Sequence, residues 1–174
     1  NIVKNTASAT TGTELTLSGN ISGGGANTVL FLNSNTGGDG TTTYRLSGNN
    51  TFTGTVRLNR GSVVVTSASS LGAGTNPLIL NSNSSTNGNL QFANSITLSN
   101  PITMEFANTI GTGANNATLT GVISGTANLS KVGSGNLTLS GSNTHSGALT
   151  LSAGTLTLDY ATNNNSKISD AGVL

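Results

Sequence analysis

Short runs in which apolar residues alternate with threonine or serine recur along the chain, and glycines separate them. The clearest are Leu137-Thr-Leu139, Leu149-Thr-Leu151 and Leu156-Thr-Leu158. A strand turns every second side chain to the same face, so the leucines point inward and Thr138, Thr150 and Thr157 point outward. Gly141, Gly147 and Gly154 lie between the runs, where a chain can turn with positive φ at no steric cost. From Leu137 to Leu156 the pattern reads as about one circuit of a solenoid: strand, turn, strand, turn, strand. Leu15-Thr-Leu17, Leu78-Ile-Leu80, Leu90-Gln-Phe92 and Ile96-Thr-Leu98 are further strands. Val29 to Leu32 reads as a short buried strand. Ile102-Thr-Met-Glu-Phe106 reads as one with Ile102, Met104 and Phe106 inward and Thr103 and Glu105 outward. No segment has convincing helical periodicity. The pattern predicts an all-β fold whose coils of about 20 residues stack into roughly eight rungs, a rod about 40 Å long.

The same motif occurs twice without a gap. Residues 44–65 return as 137–158, with Gly48, Asn50, Thr51, Gly54, Leu58 and Gly61 becoming Gly141, Asn143, Thr144, Gly147, Leu151 and Gly154. A weaker second alignment matches Gly19, Ile21 and Gly23 to Gly121, Ile123 and Gly125. Its longer offset implies an insertion between Gly23 and Tyr44, with Asn35-Thr-Gly-Gly-Asp-Gly40 the expected loop. Asn81 to Asn89 is expected to form another. Residues 1–13 read as a partial first rung.

The pattern Leu-Ser-Gly-x-Asn-Thr-aromatic-x-Gly, followed by Leu-x-x-Gly-x-Leu-x-Leu, resembles the passenger-associated repeat of bacterial autotransporters and giant surface proteins. The resemblance is clear over 44–65 and 137–158, and 158–174 looks like the following rung. It implies a right-handed parallel β-helix at the bacterial outer surface or outside the cell, and no enzyme activity. The family's usual aromatic is present as Phe52, while its second copy is His145. Residues 1–174 are expected to form one solenoid segment of a longer repeat chain.

Composition supports order over disorder. Serine, threonine and asparagine supply 77 residues and glycine 24, with only 6% charged. Such polarity suits a flexible linker unless the apolar residues alternate, as they do here. A net charge of +1 without basic clusters argues against nucleic acid as a partner. The absence of cysteine excludes a disulfide scaffold and thiolate metal sites. No stretch approaches the roughly 20 apolar residues of a membrane helix, so no membrane span is expected in this segment.

Few residues offer chemistry. Glu14 and Glu105 are expected on the outside, several rungs apart, and no catalytic group is assigned. His145 has no second histidine to share a metal or a proton, and packing at a corner accounts for it. Gly37-Gly-Asp-Gly40 is similar to a fragment of a calcium-binding repeat, but a lone copy lacks ligands from successive turns. No metal ligand or cofactor is therefore expected. Asn50 and Asn143 occupy equivalent corners of the motif, where stacked asparagines can bond backbone groups that a bend leaves unpaired. Arg45 and Arg57 replace Thr138 and Thr150, and Arg60 replaces Ala153. These three are all the arginine in the chain, a possible surface contact for an anionic glycan or a neighbouring protomer.

The expected function is a non-catalytic stalk, fibre or passenger with an adhesive role. Its expected partners are further rungs of the same chain or end-to-end copies of itself, with surface glycans or host proteins beyond those. The alternative is a carbohydrate- or ice-binding solenoid that uses Thr16, Thr118, Thr120, Thr138, Thr155 and Thr157. Arg45, Arg57, Asn59 and Val64 interrupt such an array in the first copy.

Overall fold

The computed structural model describes residues 4–5, 14–34, 42–81, 89–161 and 168. Most of the first partial rung, the 35–40 loop, the interior of the 81–89 loop and most of the last rung lie outside these residues. Every strand pairing among the described residues is parallel. Three sheets form the walls of a solenoid. Strands are numbered in chain order. Wall 1 stacks β2 (Glu14–Leu17), β4 (Thr43–Leu46), β6 (Ser62–Val65), β8 (Asn89–Phe92), β11 (Asn108–Gly111), β14 (Leu129–Val132) and β16 (Leu149–Leu151). Wall 2 stacks β9 (Thr97–Leu98), β12 (Ala117–Leu119), β15 (Asn136–Leu139) and β17 (Thr155–Leu158). Wall 3 stacks β1 (Lys4–Asn5), β3 (Gly24–Ser34), β5 (Thr53–Leu58), β7 (Leu78–Leu80), β10 (Ile102–Met104) and β13 (Ile123–Gly125).

From β8 to β14 the chain runs wall 1, wall 2, wall 3 and back to wall 1. A right-handed sense is what the strand twist favours in such crossovers. The tallest wall has seven described strands, against the roughly eight rungs expected. The cause is uneven coil length. Ile123 and Asn143 lie 20 residues apart on neighbouring levels, but Asn50 and Ile21 lie 29 apart, and Asn89 and Ser62 lie 27 apart. Two coils thus carry extra residues that add no level.

Alternation places the core. Inward register partners on wall 1 run Leu15, Tyr44, Val63, Leu90, Ile110, Lys131, Leu151. Wall 2 contributes Leu98, Leu119, Leu139 and Leu158, and wall 3 contributes Leu32, Leu58, Leu80 and Met104. Each fully buried aliphatic side chain contributes roughly 1.5–3 kcal/mol. Corners bring backbones too close for a side chain. Gly61 has φ +85°, and an added Cβ would meet the Thr42 carbonyl of the level below.

Several expected orientations are corrected. Phe106 is 45% exposed, because β10 ends at Met104 and the alternation stops with it. Leu151 keeps the inward phase but is 49% exposed. Val64, in outward phase, is buried between its register neighbours Arg45 and Gln91, whose long stems can cover it. Only alternate residues of the expected buried strand at Val29–Leu32 turn inward: Leu30 and Leu32 are buried and Phe31 is exposed.

The two motif copies also take different walls. Residues 44–46 lie in β4 on wall 1, but their counterparts 137–139 lie in β15 on wall 2. Leu58 belongs to wall 3 and Leu151 to wall 1. The motif specifies strand, corner and strand. Its bearing around the rod is set by the strands between the copies: Lys131 is the wall-1 register partner four levels from Tyr44, and Leu137 lies one strand beyond it.

Candidate functional site

Two outward ion pairs stand out among the described residues. Arg45, outward on β4, donates through Nε to Glu14 Oε1 at 2.7 Å and through a terminal nitrogen to Oε2 at 3.3 Å. The hydrogen bond from Arg45 lowers the Glu14 pKa below the ordinary carboxylate value. Arg57, outward on β5, reaches across the neighbouring strand β7 to Glu105 with two hydrogen bonds of 2.7 and 3.2 Å. It also donates to Asn59 Oδ1 at 3.1 Å. Arg60 follows at the corner after β5. The structure therefore places Arg45 on wall 1 and Arg57 on wall 3, each against a carboxylate.

The asparagines serve the backbone. Asn50 Oδ1 accepts from the Ile21 amide at 2.8 Å, and its Nδ2 donates to the Ser70 carbonyl at 2.7 Å. Asn143 Oδ1 accepts from the Ile123 amide at 2.9 Å. The two sit several levels apart and at different edges of the prism, following the rotation of the motif. Asn76 and Asn100 do comparable work. Asn76 accepts from the Gly54 amide and donates to the Phe52 and Leu71 carbonyls, and Asn100 donates to the Ala73 and Asn76 carbonyls. The sequence did not single these two out, because they fall outside both motif copies.

Wall 2 presents Thr97, Thr118, Thr138 and Thr157 in one outward column. Asn136 ties two of them together: its Nδ2 donates to Thr138 Oγ1, and its Oδ1 accepts from Thr157 Oγ1, both at 3.0 Å. On wall 1, Gly111 leaves a dent between Gln91 and Val132.

Three titratable groups lie inside. His145 is 3% exposed, its Nε2 is without a partner, and burial lowers its pKa against the opposing pull of a Gly147 backbone hydrogen bond. Tyr44 is fully buried with an unpartnered hydroxyl, and burial pushes its pKa up to about 12. Lys131 is fully buried, and its Nζ donates to the carbonyls of Val132 (3.1 Å), Gly133 (2.8 Å) and Ala153 (3.1 Å). The ammonium thus ties two successive corners together. The legible signal was its phase: in Leu129-Ser-Lys131 the lysine takes an inward position. Among the described residues no group of three or more His, Asp or Glu could hold a metal ion.

Burial lowers the Lys131 pKa from 10.5. The unfolded chain then binds more protons than the folded one between the lowered value and 10.5, so stability rises with pH across that window. Lys131→Met is expected to abolish this rise, as measured by denaturant midpoints at stepped pH below 10.

The stacked parallel walls, with buried ladders and corner asparagines, provide the setting for the comparisons. The passenger-associated-transport-repeat model matches residues 38–65 and 129–158. The chain belongs to the passenger-associated-transport-repeat family. The two matched stretches of this passenger repeat chain cover β4 to β6 and β14 to β17, the segments that contain the two motif copies. The chain is also similar to the adhesin BmaC autotransporter of Brucella suis biovar 1 (strain 1330), 34% identical over 119 residues. That alignment covers 67% of this chain and 3% of the relative's length. No solved structure matches the chain.

Proposed function

We propose that this chain is a segment of an autotransporter passenger that stands outside a bacterial cell as a stiff, non-catalytic rod and contributes to adhesion. The observation that carries this reading is the joint one of a passenger repeat and a continuous parallel stack. A stack of this kind buries one column of side chains along its whole length and leaves long walls for contact. The adhesin relative supports the adhesive part. Both outward glutamates are held in ion pairs on separate walls, Glu14 by Arg45 and Glu105 by Arg57. This supports a role in holding and displaying rather than in turnover.

The test places the whole chain between an export signal and an outer-membrane β-barrel anchor in a non-adherent bacterium. Expected results are surface labelling of the intact cell and increased adherence to host cells or matrix-coated plates. Surface labelling without any gain in adherence would remove the adhesive part of the reading. Failure to reach the surface in a folded, protease-resistant form would remove the passenger reading itself.

A further inference from the structure

The two motif copies dock the same corner on the level below, with one different side chain. In the first copy the amides of Thr51 and Phe52 donate to the Ile21 carbonyl at 2.8 and 3.2 Å, and the Thr53 amide donates to the Gly23 carbonyl at 2.9 Å. Asn50 Oδ1 accepts from the Ile21 amide at 2.8 Å. In the second copy the amides of Thr144 and His145 donate to the Ile123 carbonyl at 2.9 and 3.1 Å, and the Ser146 amide donates to the Gly125 carbonyl at 2.9 Å. Asn143 Oδ1 accepts from the Ile123 amide at 2.9 Å. Phe52 and His145 therefore hold equivalent places, each 3% exposed. A benzene ring needs only contact there. An imidazole brings two nitrogens that need partners.

One of the two is satisfied. The bond to the Gly147 backbone makes His145 more basic, as donation to a carbonyl does, so Nδ1 carries the proton of the neutral ring. Nε2 keeps a buried lone pair without a donor. A proton taken up at Nε2 creates a buried N–H and a positive charge together, which is costly without a partner. The surrounding elements supply none. β13 is Ile123-Ser-Gly125, β15 is Asn136-Leu-Thr-Leu139 and β16 is Leu149-Thr-Leu151. On β14, Lys131 carries a like charge and is bonded to the carbonyls of Val132, Gly133 and Ala153. After β17, Asp159 accepts from the Ala161 amide, and Tyr160 is an exposed phenol. Glu105, after β10, is paired with Arg57.

We propose that the His145 corner is an acid-sensitive joint in the rod. Protonation of the imidazole releases residues 143–146 from β13 and loosens the level that holds β16 and β17, while the Phe52 corner stays closed. In the open corner Nε2 meets water, so the proton is bound more tightly there than in the closed one. Burial holds the closed-state pKa below 6.5. The corner is therefore fully stable above 6.5 and loses stability as pH falls below it. The chain has one histidine, and no other type of side chain has its ordinary pKa between about 5 and 7. Any loss of protection in that window belongs to residue 145.

Amide exchange of the whole chain, followed residue by residue at about pH 7.5 and about pH 5.5 and corrected for intrinsic rates, tests the joint. Protection at Thr144, His145 and Ser146 should fall by up to about tenfold, the effect of one proton over one pH unit below the open-state value. Protection at Thr51, Phe52 and Thr53 should hold. His145→Phe, which restores the aromatic of the first copy, should abolish the fall, and Phe52→His should bring a like fall to the first corner. Equal falls at both corners of the wild type would overturn the proposal, as would a fall that persists in His145→Phe. The single imidazole gives a further readout that needs no variant. Its nuclear magnetic resonance signal should keep the neutral position as pH drops through 6.5 in the folded protein, and free titration at that value would also overturn the proposal.

Discussion

Leu137→Asp is expected to unfold the solenoid, whereas Thr138→Asp, one residue along the same strand, is expected to leave it folded. Leu137 is fully buried on β15, with Ala117 and Leu156 as its register neighbours. Neither register neighbour offers a carboxylate there a charge of opposite sign. An unpaired charge in such a place costs more than about 4 kcal/mol. The damage also spreads, because each level covers the apolar face of the next. Thr138 faces outward in the same register, where a substitution shifts stability by about 0.5 kcal/mol or less. Denaturant titrations of the two variants check this. Comparable midpoints would show that the register of wall 2 is wrong. The analogous pair Leu151 and Thr150 does not make the same contrast, since both are exposed at the last described level of wall 1.

Tyr44→Phe is expected to make the protein resistant to alkaline unfolding. The buried phenol holds its proton up to about 12, against an ordinary value of 10.0. A group whose pKa is raised on folding contributes stability that is present below its unfolded value and is lost as pH rises through the folded one. The window here runs from about pH 10 to about pH 12, and the loss across it is about 3 kcal/mol. Phenylalanine keeps the ring and removes the titration. It also removes a buried hydroxyl that has no partner, which should raise stability at neutral pH by about 1 kcal/mol. Denaturant midpoints at pH 8 and pH 11.5 test both parts. If wild type and variant lose stability equally between those values, another group governs alkaline unfolding.

The fold was legible because two signals agree. Leucines alternating with threonines specify a strand with one dry face, and glycines at the corners specify where it turns. What alternation cannot convey is where a strand ends or what lies above it. Phe106 is in phase with Met104 yet stands outside, since the strand has already stopped. Leu151 is in phase with Lys131 yet is exposed at the last described level of its wall. The polar residues were harder still. A lysine reads as a surface residue by type, and only its phase places Lys131 among the leucines. Asn76 and Asn100 bond backbone groups as Asn50 and Asn143 do, but no repeat marks them. Arg45 and Arg57 look like one cluster along the chain, and the walls separate them because consecutive strands leave a corner in different directions.

That one motif can start on wall 1 in one copy and on wall 2 in the next bears on how a surface like this diversifies. If each copy came to rest at the same angle, a duplicated motif would draw a single stripe down one side. Here the second copy starts one strand further around the circuit than a whole number of coils. Moving a copy along the circuit by one strand turns it to a new compass bearing, while a lengthened loop between two walls leaves that bearing unchanged. A change at an outward position of the motif, such as Thr138 in place of Arg45, is thereby presented toward a different quarter of the surroundings.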